Sequence, residues 1–226
     1  MGSDSLAEAS PVHRAAVNEF WMGETEVTVE QFQAFVAETG YITEPETLGG
    51  GWIRDSAGFT KKSDASWKNP YFALVNAQPV VFVTRRDAEA YCIWLSRRSG
   101  LAIHLPSEVK WEYACRGGQR IEFVNGWTAE NSGMRIHDVA QKAPNHFGLY
   151  DIQGNVWEWT ADDYANYTKE SVADSARRND GSRGAVMRGG SYAFPVSFAS
   201  VFFRQPGHGA IARAQDLGFR VVISPE

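Results

Sequence analysis

The segment Gly148-Leu-Tyr-Asp-Ile-Gln-Gly-Asn-Val-Trp-Glu-Trp-Thr-Ala-Asp-Asp-Tyr164 constrains the fold more than any other part of the chain. Trp157 and Trp159 stand two apart, so in an extended strand they share one face and Glu158 turns to the other. Asp151, Asn155 and Glu158 offer hard oxygen ligands, and Gly154 leaves the backbone free to turn, a combination that suits calcium. The same residues also suit a buried strand with a satisfied acidic turn. Spacing alone leaves both readings open.

A chain of 226 residues, 43% hydrophobic and 13% aromatic with eight tryptophans, can bury one large core packed through rings rather than through long aliphatic helices. A formal charge of -5, with basic residues scattered in pairs such as Arg85-Arg86, Arg97-Arg98 and Arg177-Arg178, argues against a nucleic-acid partner. No apolar run approaches the roughly 20 residues of a membrane span, and the start lacks the regions of a signal peptide. The expectation is a soluble protein with no export address. Cys92 and Cys115 make neither a disulfide framework nor a CxxC pattern, and both fall in apolar helical stripes as small core residues.

Local signals place three helices. Thr28 with Gln31 forms a capping-box pattern ahead of Phe32, Phe35 and Val36, and Gly40 stops that helix. Thr84 with Asp87 opens a second, with Ala88, Tyr91, Cys92 and Leu95 on one stripe ahead of Gly100. Ser107 caps a third, which ends at Gly117-Gly118. Val12 to Met22 reads as a strand, Pro79 to Val83 as a buried strand or extended lead-in, and Leu217 to Ile223 as a terminal strand. Thr43 to Ala77 shows no sustained periodicity and reads as a long surface excursion. Helices early and strands late make one α+β domain.

Several separated pieces then match one family: Met1-Gly-Ser3, Glu26-Val-Thr28, Leu105-Pro-Ser-Glu108, Trp111-Glu-Tyr113, Gly148-Leu-Tyr-Asp151, Gly154-Asn-Val-Trp-Glu-Trp159, Arg188-Gly-Gly-Ser191 and Leu217-Gly-Phe-Arg220. In these the chain resembles the formylglycine-generating enzyme, or sulfatase-modifying factor, family over nearly its whole length. The resemblance implies a single C-type-lectin-like α+β domain over 1–226 with low regular secondary structure. It also implies a structural calcium held by Asp151, Gly154, Val156 and Glu158. Family members usually carry a strand before the Met-Gly-Ser motif, so a truncated start is expected here, and with it a periplasmic or secreted location if a signal has been lost.

Active members bind copper(I) through two thiolates shortly after the Gly-Gly-Ser motif, and that alignment puts Phe194 and Ala199 in their places. Neither side chain can ligate copper, which needs soft sulfur. Copper and formylglycine formation are therefore not expected. Two functions compete. One is a ligand- or protein-binding module like the retroelement variable proteins, with a surface between Ser191 and Arg213 built from Trp157, Phe194, Phe198, Phe202 and Phe203 and rimmed by Arg204 and His208. The other is a copper-independent tailoring enzyme, such as an oxidase-like step in maturing a pyoverdine-type siderophore chromophore, with Ser191, Arg204 and His208 as candidate catalytic residues. A weaker third reading makes the chain a regulatory partner of a sulfatase-type system.

Overall fold

Short elements joined by long irregular segments carry the fold of the computed structural model, which describes residues 1–55, 58–119, 125–170, 172, 176–207 and 211–225. In chain order they are β1 (Trp21–Met22), α1 (Val29–Thr39), α2 (Glu44–Thr47), β2 (Gly51–Asp55), β3 (Gly58–Lys62), α3 (Arg85–Ser99), β4 (Ala102–His104), α4 (Glu108–Arg116), β5 (Trp157–Asp163), β6 (Ala185–Arg188), β7 (Gln205–Gly207), β8 (Leu217–Gly218) and β9 (Val222–Ser224).

The three expected helices form where their end signals put them. Thr28 and Gln31 close a reciprocal capping box on α1, and Gly40 ends it at φ 68°. Thr84 and Asp87 do the same for α3, which ends at Gly100 with φ 74°. The Ser107 hydroxyl accepts from the Lys110 amide to start α4. Each such cap is worth about 1 kcal/mol. The apolar stripes of α1 and α3 meet through Phe32 and Tyr91, whose stacked rings lie 5.9 Å apart, and both touch Phe219.

Two larger sheets flank this core. One has the order β7-β6-β5-β8, the other β1-β9-β4, and β2 pairs with β3 as a separate hairpin. In the first, Trp159 pairs with Met187 and Glu158 with Arg188, while Trp157 sits beside Leu217 on the parallel neighbour. Trp157 and Trp159 join the main core with Phe32 and Tyr91. Glu158 points the other way, toward Trp111 and Arg220.

Three strand expectations change. Of Val12 to Met22 only Trp21–Met22 is a strand, paired to β9, and Ala15 makes a lone bridge to Val172. Alternation marks a half-buried segment but supplies no neighbour to bond. The Thr43 to Ala77 excursion contains α2 and the β2–β3 hairpin. Its Gly49-Gly-Gly51 run is the signal for it, because a Cβ on Gly50 would lie 1.9 Å from the Lys62 carbonyl oxygen. The terminal strand divides: Leu217–Gly218 bonds to β5 and Val222–Ser224 to β1 and β4. Arg220 sits at the crossing between the two sheets.

Candidate functional site

Beyond β6 the chain turns on two glycines in the left-handed region, Gly189 at φ 97° and Gly190 at φ 72°. Ala199 packs so closely behind Gly190 that a Cβ there would lie 2.8 Å from the Ala199 amide nitrogen. The segment from Ser191 to Ala199 is thereby folded back over β5, and the Tyr192 amide bonds the Asn155 carbonyl at 2.8 Å. This turn presents Phe194 and Phe198 edge-on to Trp157, with ring centroids 5.7 and 6.4 Å from it.

Between those rings lies an apolar slot of about 320 Å³. Trp157, Met187 and Leu217 form its floor from β5, β6 and β8, and Phe194 and Phe198 form one wall. Trp52 and Phe59 close the other wall from the β2–β3 hairpin, tied down where Trp52 bridges to Ala214. The slot therefore depends on an element that sequence patterning alone does not place.

Among the described residues Asp216 is the one ionisable side chain on the slot's lining, and it is 5% exposed. Ser191 Oγ donates to its Oδ2 at 2.6 Å, and its carbonyl accepts the Trp157 amide at 2.8 Å. Burial raises the Asp216 carboxyl above its ordinary value, while the Ser191 hydrogen bond and the Arg54 cation pull it back down. Arg54 stands on the hairpin with Nη1 on the Ala193 carbonyl at 2.5 Å and its guanidinium 5.5 Å from the Phe194 ring centroid. Arg54 and Tyr192 also line a more polar groove of about 530 Å³, shared with Arg135, His137 and Asp138.

Of the expected site residues, the structure brings Trp157, Phe194, Phe198 and Ser191 together. Phe203 lies behind them, 4.6 Å from Phe198 between centroids, as part of the core. Phe202 faces a different cluster, under the Arg116 guanidinium at 4.7 Å. Arg204 is no charged rim: it is 1% exposed, with Nε and Nη2 on Glu108 at 2.7 and 2.6 Å and its guanidinium 3.9 Å from the Tyr167 ring. A basic residue in an aromatic segment reads as a rim only until a distant acid meets it. His208 lies outside the described residues.

The expected calcium ligands sit in a second buried place. Glu158 receives Arg220 Nε on both oxygens, Arg220 Nη2 on Oε1 and Trp111 Nε1 on Oε2, all between 2.7 and 2.9 Å. Three N–H groups thus make four contacts on its two oxygens, so Glu158 offers little to a cation in this arrangement. Asp151 fits better. Its Oδ2 takes the Ala140 amide at 2.7 Å, and its buried Oδ1 has no partner among the described residues. Both oxygens of buried Glu26 are also without a side-chain or neighbouring donor among the described residues, and Asp151 and Glu158 add to the burial that raises the Glu26 carboxyl well above its usual range. Among the described residues no group of three His, Cys, Asp or Glu side chains is arranged to hold a metal by itself, so a cation here would need backbone carbonyls such as those of Gly154 and Val156.

Neither cysteine substitutes for the missing copper thiolates. Both are buried and free, in separate clusters, and burial raises the Cys92 thiol to about 12. No helix among the described residues is long and apolar enough to cross a membrane.

Comparison with known proteins bears on this arrangement. The profile of the sulfatase-modifying factor enzyme 1-like domain matches residues 1–225. The formylglycine-generating enzyme of Bos taurus is 28% identical, over 93% of this chain and 67% of its own length. The inactive C-alpha-formylglycine-generating enzyme 2 of Bos taurus is 31% identical, over 85% of this chain and 72% of its own. Among solved structures, Treponema denticola variable protein 1 superposes with a TM-score of 0.77 at 26% identity, covering 99% of this chain and 91% of that one. PvdO from Pseudomonas aeruginosa superposes with a TM-score of 0.81 at 25% identity, covering 100% and 90%.

Proposed function

This chain belongs to the sulfatase-modifying factor, or formylglycine-generating enzyme, family, and on that premise we propose that it works without copper as a ligand-binding module. Its binding surface is the slot between the segment that starts at Ser191 and the β2–β3 hairpin. One observation carries the reading: Phe194, which the family resemblance sets with Ala199 in place of the active members' two thiolates, walls an apolar cavity of about 320 Å³. That volume suits a small ring, with aromatic walls supplying most of the contact. The likeness to a variable protein and to an inactive paralogue supports binding over oxidation.

Filling the slot tests it. Ala214, buried on the lining, becomes Phe, and binding of 2-phenylethanol is followed through tryptophan fluorescence or calorimetry. Saturable binding that disappears in Ala214→Phe supports the slot. Binding to neither form, or equally to both, refutes it. Copper found bound in stoichiometric amount refutes the copper-free reading.

The alternative, a copper-independent tailoring enzyme acting on a siderophore chromophore of the pyoverdine type, draws on the likeness to PvdO and on the hydrogen-bonded Ser191–Asp216 pair. That pair gives a proton-handling group inside an apolar cavity. Turnover of a dihydro-chromophore, lost in Asp216→Asn, would favour catalysis, and no turnover removes it.

A further inference from the structure

We propose that the slot selects an organic cation, with a protonated amine set against Asp216 and its carbon frame held between Trp52, Trp157 and Phe194. This rests on the slot being the ligand site and names the chemistry it reads.

The starting point is how this molecule treats its buried acids. Glu108, Glu112, Glu158 and Asp163 each meet an arginine, at 2.6 to 2.8 Å. Asp87 accepts from the Thr84 and Glu44 amides, and Asp162 from the Glu108 and Arg177 amides. Glu26 and Asp151 share the field of Arg220. Asp216 has no arginine in ion-pair contact among the described residues and feels the Arg54 cation only at longer range. Apart from its own amide, the Ser191 hydroxyl on Oδ2 is its side chain's hydrogen-bond partner among the described residues, and the residue lines the slot.

An uncharged cavity has no use for a carboxylate, and burying one without a counter-charge is costly. A hydroxyl donor on Oδ2 suits the ionised form, which accepts and cannot donate. The surrounding rings act in the same direction, because aromatic faces attract cations and do so most strongly away from water. Arg54 does not fill the role. Its Nη1 is committed to the Ala193 carbonyl, and it is exposed over the Phe194 and Phe59 rings, 5.5 and 6.0 Å from their centroids. It forms no ion pair with Asp216, and its position disfavours a second cation only at the mouth, where solvent screens it.

The test uses three probes of one shape and different charge: 2-phenylethylammonium, 2-phenylethanol and 3-phenylpropionate, titrated calorimetrically into the whole chain near neutral pH. The ammonium should bind about tenfold or more tighter than the alcohol, and the carboxylate weakest. In Asp216→Asn, which keeps an acceptor for Ser191, the ammonium and alcohol should fall within about threefold of each other. Arg54→Gln, at an exposed position, should keep or sharpen the preference for the ammonium. Ala214→Phe should abolish it.

Equal affinity for all three probes, or tightest binding of the carboxylate, overturns the charge assignment and leaves the slot standing. An ammonium preference that survives Asp216→Asn overturns the role of Asp216. Ammonium binding that survives Ala214→Phe puts the cation elsewhere. No binding of any probe at millimolar concentration overturns both the slot and its selectivity.

Discussion

Arg220 and Glu158, sixty-two residues apart, form a fully buried fork in which Nε and Nη2 of the arginine reach both carboxylate oxygens at 2.7 to 2.9 Å. The same guanidinium donates to the carbonyls of Gly23 and Tyr150 at 3.0 and 2.9 Å. It therefore ties the turn after β1, the acidic turn before β5 and the crossing from β8 to β9 into one joint.

Removing one partner of this pair leaves a charge in a sealed site. Arg220→Ala should cost about 3–5 kcal/mol, read as a shift in urea midpoint, and Glu158→Gln should cost a comparable amount. A loss below about 1 kcal/mol for either would mean that water reaches the joint and the charge is solvated there.

Gly190 holds the slot's wall through backbone shape. Alanine there must adopt φ near 72° and place a methyl 2.8 Å from the Ala199 amide nitrogen and 2.9 Å from the Phe198 carbonyl carbon. Gly40 makes a matched control, since it has φ 68° with nothing within 4 Å of its Cβ. Gly40→Ala should cost about 1 kcal/mol from conformation alone. Gly190→Ala should cost about 2–4 kcal/mol and weaken ligand binding as the Phe194 wall moves. Equal melting temperatures for the two variants would show that the wall gives way freely.

How much of this was legible in the chain follows from the range of each interaction. The caps of α1 and α3 are written in residues three apart, Thr28 with Gln31 and Thr84 with Asp87, that of α4 in Ser107, and they form as read. The opposed faces of Trp157 and Glu158 follow from strand geometry and also hold. The slot depends instead on partners that no window contains. Ser191 meets Asp216 across 25 positions and Arg204 meets Glu108 across 96. Trp52 and Phe59 reach the slot only because glycines let a polar hairpin close over it. Aromatic content pointed to the segment after Ser191, but nothing local separated Phe194 and Phe198, which line the slot, from Phe202, which packs elsewhere.

Asp162 gives a pH signature with a definite sign. Burial, then the nearby Glu108, raises its carboxyl from 3.8 to about 6. Between those values the folded chain holds more protons at this group than the unfolded chain, so its contribution to stability falls as pH rises through the window. The integrated loss is roughly 3 kcal/mol. Asparagine cannot ionise, so the stability of the wild type relative to Asp162→Asn should decline steadily from pH 4 to pH 6 in urea melts. A difference that stays flat across that range would place the Asp162 carboxyl at its ordinary value.

The acidic pocket around Arg220 poses a question of charge balance. Glu26, Asp151 and Glu158 influence one another there, yet among the described residues Glu158 alone takes the guanidinium's side-chain ion pair, and the oxygens of Glu26 and Oδ1 of Asp151 meet no neighbouring donor. Either a proton on Glu26 or a bound cation has to offset the remaining charge. A calcium brace through Asp151 and nearby backbone carbonyls makes the stronger demand on experiment. Calcium added to chelator-treated protein at 100 times its dissociation constant should stabilise the fold by about 2.7 kcal/mol, and Asp151→Asn should remove that gain. Magnesium should do less, because it insists on a small octahedral shell and gives up its waters reluctantly. If calcium leaves the melting temperature unmoved, the proton on Glu26 is the neutralising charge. Glu26→Gln, which fixes that neutrality, should then be tolerated as well as the wild type.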